Sequence, residues 1–154
     1  MKVEIVQFPE TLVAAVEHTG PPEREHDSVR VLIDWKLANG LVDPEKHRHY
    51  GVHYTNPRST PPNRHRVDFC LSVDEPVEPN DHGVITRLLP ACRCARARDF
   101  GSRYDNRAAA YLFETWLPAS GEVRTELAPI FHYVNVGPGV READMITDVY
   151  LPLR

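Results

Sequence analysis

The sequence predicts an α+β fold: a duplicated strand–helix–strand–strand unit, arranged with pseudo-twofold symmetry around a central cleft. Three observations lead there. The first is an internal repeat. Gly20, Trp35 and Gly40 recur as Gly101, Trp116 and Gly121, His53-Tyr54-Thr55-Asn56 returns as His132-Tyr133-Val134-Asn135, and the block Val67 to Val73 returns as Thr147 to Leu153. Three colinear blocks imply a duplicated unit of about 80 residues, spanning about 8–76 and 84–154 within a chain of single-domain length. The second is periodicity, which switches between the two-residue repeat of strands and the 3.6-residue repeat of helices. The third is 14 prolines against 8 glycines, which suits short extended segments with sharp stops.

Each unit opens with a strand, over 11–18 (TLVAAVEH) and 90–98 (PACRCARAR), ended by Gly20 and Gly101 at turns. A helix follows at 25–38, with Val29, Leu32, Ile33 and Leu37 on one stripe and Gly40 as its stop. Its counterpart at 105–117 carries Ala109, Leu112, Phe113 and Trp116, with Asp105 as N-cap and Pro118 ending it near Trp116. Two strands complete each unit: 49–56 then 65–73, and 129–136 then 145–153. Asn56-Pro57 and Gly137-Pro138 end the first of each pair. Residues 2–7 and 83–89 read as extra strands. In the last strands Val67, Phe69, Leu71 and Val73, and likewise Val149, Leu151 and Leu153, point toward the helices. The alternate set, Asp68, Cys70 and Ser72 with Asp148 and Tyr150, is left to face water or a cleft.

Composition narrows the function classes. The chain is 42% hydrophobic and 26% charged, near the soluble globular average. No apolar run reaches the roughly 18 residues of a membrane helix, and the opening MKVEIVQFPE lacks the apolar segment of a signal peptide. Three cysteines, with Cys92-x-Cys94 unlike the C-x-x-C of zinc and redox sites, suit reduced thiols in the cytoplasm. Net charge is −4 at a pI near 6.0. The densest basic stretch (Arg93, Arg96, Arg98, Arg103, Arg107) is broken by Asp99 and Asp105, so neither direct DNA binding nor a membrane partner is expected.

The candidate chemistry is modest. His132 and His53 match in the repeat and would place two imidazoles at the cleft as hydrogen-bonding or acid–base groups. Asp68 and Asp148 offer negative charge, or else orient neighbouring strands. Trp35 and Trp116 read either as core plugs or as an aromatic wall; Trp116, with Tyr111, Phe113 and Tyr150 near it in sequence or register, is the better pocket residue. The stretch His47, His49, His53 and His65 lacks metal-ligand spacing and reads as a solvated loop. There is no G-x-S-x-G elbow, P-loop or G-x-G-x-x-G. No cofactor and no metal are implied.

These residues resemble a known family. Val16-Glu17-His18-Thr19-Gly20-Pro21 is similar to the "VxHxGP" strand end of the GyrI-like small-molecule-binding domain, and Tyr54-Thr55-Asn56-Pro57 to its "YYDNP" turn. Arg66-Val67-Asp68-Phe69-Cys70, Phe131-His132 in place of "FExY", and Thr147-Asp148-Val149-Tyr150-Leu151-Pro152-Leu153, close to "TDIYIPL", complete a match over essentially the whole chain. The family also supplies the effector-binding modules of AraC-type and MerR-type transcription regulators. The resemblance implies a stand-alone protein that senses or sequesters a drug-like apolar or aromatic compound in a cleft between the repeats. The ligand-binding residues would be His132, Trp116, Tyr150, His53, Phe113, Tyr133 and Asp148. One departure stands out: the family's "FExY" glutamate, which pairs with cationic ligands, is replaced by His132, so a preference for cations does not carry over. Two further functions are implied by the resemblance: hydrolysis of strained cyclopropanoid genotoxins, with His132, Glu114 and Tyr150 as acid–base residues, and inhibition through contact with DNA gyrase.

Overall fold

The computed structural model describes residues 1–154. Its strands are β1 (Val3–Phe8), β2 (Thr11–Thr19), β3 (His49–His53), β4 (Arg66–Ser72), β5 (Ile85–Leu89), β6 (Cys92–Phe100), β7 (Ile130–Tyr133) and β8 (Ile146–Pro152). Helix α1 is Glu25–Ala38; α2 is a helical run of three segments, Arg107–Ala110, Tyr111–Trp116 and Leu117–Ser120. The strand pairs are antiparallel, and the α+β class read from the sequence is the one observed.

The chain divides into two compact units. The first, Thr11–Leu89, holds α1 and strands in the order β3-β4-β2-β5; the second, Met1–Glu10 with Pro90–Arg154, holds α2 and the order β1-β6-β8-β7. The two leading strands are exchanged. β1 precedes the first repeat yet pairs with β6, while β5 precedes the second repeat yet pairs with β2. The registers correspond: Glu4 lies opposite Arg96 as Ile85 lies opposite Ala15. The two extra strands of the sequence are therefore edge strands, β5 in the first unit and β1 in the second.

In the first unit α1 lies on Ala14, Val16, Val67, Phe69 and Leu71 through Leu32 and Trp35, with Val29 at the margin. The apolar stripe is thus turned from the one expected: Ile33 and Leu37 are exposed and Trp35 is buried. The indole has more apolar surface to remove from water than either aliphatic side chain, and it decides which face turns inward. In the second unit Ala108 and Leu112 of α2 meet Ala95, Ala97, Phe131, Val149 and Leu151, with Ala109, Phe113, Trp116 and Leu117 packed alongside.

Helix α2 departs from expectation at both ends. Asp105 does not cap it. The preceding Asn106 is left-handed (φ 52°), and the carboxylate of Asp99, at the end of β6, accepts the Arg107 and Ala108 N–H groups at 2.9 and 3.2 Å. Pro118 does not stop the helix, which runs on to Ser120. The turn before it is widened to a π-helical one, with the Leu117 N–H reaching back to the Leu112 carbonyl, so the proline that follows sits in the first turn of a new segment, where a missing N–H is tolerated.

The aliphatic rows of β4 and β8 face the helices, as their alternation predicts. On the opposite rows Asp68, Cys70, Ser72 and Asp148 are buried and Tyr150 is half-buried.

Candidate functional site

Each sheet carries its polar chemistry on the face away from its helix. In the first unit, antiparallel register sets Glu17 of β2 directly opposite Asp68 of β4, with Val52 of β3 on the other side. Asp68 is 1% exposed. Its Oδ2 accepts a 2.9 Å hydrogen bond from the Tyr54 hydroxyl, while Oδ1 has no hydrogen-bond partner. Two guanidinium groups stand near but just out of reach, Arg66 at 3.8 Å and Arg87 at 3.9 Å. Both instead donate to one oxygen of Glu17, at 3.0 and 2.9 Å, and Arg66 also lies over the Tyr54 ring at 4.5 Å. A buried carboxylate with an unsatisfied oxygen is costly in its ionised form. Burial accordingly pushes the Asp68 carboxyl above its usual range, against the opposing pull of Tyr54 and the two arginines. Burial, reinforced by the hydrogen bond to Asp68, pushes the Tyr54 hydroxyl up to about 12.

The second unit has the same frame and a different charge pattern. Arg98 of β6 lies opposite Asp148 of β8, and His132 of β7 lies on Asp148's other side. Arg98 donates to both carboxylate oxygens of Asp148, at 2.7 and 2.9 Å, a bidentate pair. Next along the row, Arg96 donates to Glu4 at 2.6 Å and faces Tyr150, whose ring meets Phe8 edge-on with centroids 5.1 Å apart. The acid near the histidine is thus neutralised by its own arginine, while its counterpart in the first unit is not.

Register sorts the expected site residues. His132, Asp148 and Tyr150 share the face away from the helix in the second unit. Tyr133 is buried in the helix-side core, with Phe113 and Trp116 packed against it, so these three and Tyr150 lie on opposite faces of one sheet. Phe113, Glu114 and Trp116 all belong to the π-helical turn, with Glu114 exposed. Trp35 is a core residue.

His53 and His132 are not equivalent in the structure. His53 lies opposite Val67 and His132 opposite Asp148, so the counterpart of His132 is Val52 and that of His53 is Tyr133. The matching letters were one residue out of step with the pairing. The clamps that follow confirm the register: the Arg66 N–H donates to Thr55 Oγ1 as the Ile146 N–H donates to Asn135 Oδ1.

The histidine-rich stretch is not a solvated loop. His47 is buried and its Nδ1–H donates to the Ser72 carbonyl at 2.9 Å. His65, 1% exposed, donates from Nε2 to Glu25 at 2.6 Å, with Thr55 Oγ1 3.0 Å from Nδ1. His18 donates from Nε2 to the Gly20 and Pro21 carbonyls, and Ser28 Oγ lies 2.9 Å from its Nδ1. His18 and His65 tie the start of α1 to the end of β2 and the start of β4, and His47 holds the far end of β4. Sequence reasoning missed Glu17, Tyr54, Arg87 and Arg98 as participants. The one available signal was parity, which puts Arg66 beside Asp68; the cross-strand partners follow only from register.

Known proteins resemble the chain over its whole length. The Escherichia coli K12 protein named "Probable transcriptional regulator YgiV" is 37% identical over 154 residues, covering 99% of this chain and 96% of that one. A "DNA gyrase inhibitor" of Erwinia billingiae is 27% identical, covering 99% and 97%. Among solved structures, the C-terminal domain of EcmrR superposes with a TM-score of 0.77 at 17% identity, covering 99% and 97%. The GyrI-like small molecule binding domain matches residues 1–154, and the chain belongs to that family.

Proposed function

We propose that the chain is a sensor or sequestering protein for a small apolar or aromatic molecule, held on the face of the second unit that carries His132 and Tyr150. The observation that carries the choice of ligand is the internal neutralisation of charge around His132 and Tyr150. Asp148 is taken up by Arg98 and Glu4 by Arg96 and Lys2, so neither carboxylate is left to select a cation beside the two rings. Burial of apolar ligand surface, at about 25 cal/mol per Å², drives binding, and His132 sets orientation as an imidazole donor or acceptor. The regulator name of the E. coli relative supports sensing.

A thermal-shift panel of uncharged and cationic aromatic compounds tests this. A neutral ligand at a hundred times its Kd stabilises by about 2.7 kcal/mol. His132→Ala and Tyr150→Ala each weaken it, and a panel in which no neutral aromatic compound stabilises the protein overturns the reading. A second reading, contact with DNA gyrase, is favoured by the name of the Erwinia relative. Capture of purified gyrase by the immobilised chain decides it.

A further inference from the structure

Two thiols lie on the same face of the second unit as His132 and Tyr150, next along β6 from Arg96. Cys92 and Cys94 occupy one side of β6, with their sulfur atoms 3.4 Å apart in an S–H···S contact. Cys94 is fully buried and Cys92 is half-buried, so the pair is reached from the Cys92 side. Cys94 Sγ also lies 3.7 Å from the Cys92 carbonyl oxygen. Burial, then the hydrogen bond with Cys92, pushes the Cys94 thiol up, so at neutral pH it keeps its proton until something stronger replaces it.

The spacing discriminates between two fates. A disulfide needs the sulfurs at ~2.05 Å and Cα atoms ~4.4–6.8 Å apart. Two steps along a strand put the Cα atoms roughly 6.6 Å apart, at the far limit of that range, so closure demands bending β6. Two thiolates on one tetrahedral ion with bonds of ~2.3 Å sit about 3.8 Å apart. That asks for only a slight opening of the observed pair. Nowhere in the chain do three or more His, Cys, Asp or Glu side chains gather as a metal cage. An ion that demands a closed protein cage is therefore not served here, whereas a soft ion content with two thiolates and a small exogenous ligand is.

We propose that Cys92 and Cys94 form a two-thiol chelating site for a thiophilic metal or metalloid ion. A divalent ion forms two bonds to sulfur and two thiol protons leave to solvent. With an arsine oxide, two sulfur–arsenic bonds form, the arsenic–oxygen bond breaks, and the oxygen departs with both thiol protons as water.

The probe is phenylarsine oxide on the intact chain, followed by alkylation of the remaining thiols and mass spectrometry. The expected product is one phenylarsine per chain with loss of one water, leaving only Cys70 to react once the chain is unfolded. Cys70 lies in the other unit, and Cys70→Ser keeps the adduct. Cys92→Ser and Cys94→Ser each lose it. Peptide mapping of the wild type needs no substitution: arsenic protection confined to Cys92 and Cys94 supports the site even if a variant fails to fold. An adduct that survives in either serine variant, or wild-type protein in which both thiols still alkylate after treatment, overturns it. So does the loss of two hydrogens from the pair with no arsenic retained, which would mark a disulfide instead.

Discussion

Glu17 and Asp68 face each other directly across β2 and β4, two acids opposed, where the matching position of the other repeat sets Arg98 against Asp148. Like charges directly opposite in a sheet are unfavourable. Arg66 and Arg87 offset them, yet both donate to Glu17 and leave one oxygen of Asp68 without a hydrogen bond.

Asp68 should therefore weaken the fold as it ionises. Its carboxyl in the folded protein titrates above the ordinary 3.8, so the folded state holds its proton to higher pH than the unfolded state does. The contribution is fully present below about 3.8 and is lost as pH rises through the higher folded value. In Asp68→Asn this loss is absent. The Tm of the variant, measured from about pH 4 to about pH 7, should gain on wild type as pH rises; parallel curves would refute the account.

Arg98→Ala should destabilise the second unit. Asp148 is 3% exposed and Arg98 supplies both of its charge-assisted hydrogen bonds. A buried acid stripped of its partner costs several kcal/mol. Because Arg98 itself is half exposed, about 1–2 kcal/mol is expected by urea denaturation. Arg98→Ala combined with Asp148→Asn should recover part of this, since no unpaired buried charge remains.

Asp99→Ala should cost about 1–2 kcal/mol, the value of a lost helix cap, because its carboxylate holds the first two N–H groups of α2. Asp105→Ala should stay within about 0.5 kcal/mol of wild type, as for a surface change. Denaturant midpoints separate the two.

The two tryptophans should part company. Trp35→Ala empties a core position and costs about 3–5 kcal/mol. Trp116→Ala, at the margin of the other core, should cost on the order of 2 kcal/mol. If Trp116 also touches ligand, its variant loses ligand-induced thermal shift beyond that seen for a control in the same core such as Leu112→Ala.

How much of this was legible in the sequence varies by level. Strand, helix and turn order followed from periodicity and from Gly and Pro, because these act locally. The buried rows of β4 and β8 followed from alternation. The equivalence of His53 and His132 failed because identical letters were matched, whereas a strand's register is set by which side chains face the core, and a slip of one residue turns every side chain to the other face. The turned face of α1 was missed because counting apolar positions ignores the size of Trp35. The Glu17–Asp68 opposition was out of reach: it joins residues far apart in the chain, and only the pairing of β2 with β4 creates it.

The exchanged edge strands bear on how the molecule is made. Val3 finds its partner only when Ala97 has left the ribosome, so the N-terminal strand waits through the synthesis of the whole intervening repeat. The Thr11–Leu89 unit, whose strands lie within one stretch, can close first. Its completion leaves β1 as an unpaired edge on the nascent chain, the kind of edge that aggregates. Closing so long a loop costs only slightly more entropy than closing a short one, but it delays folding. A gene cut between the repeats would yield two halves, each lacking its own edge strand and holding the other's, so each half would be made whole only by the other half's leading strand.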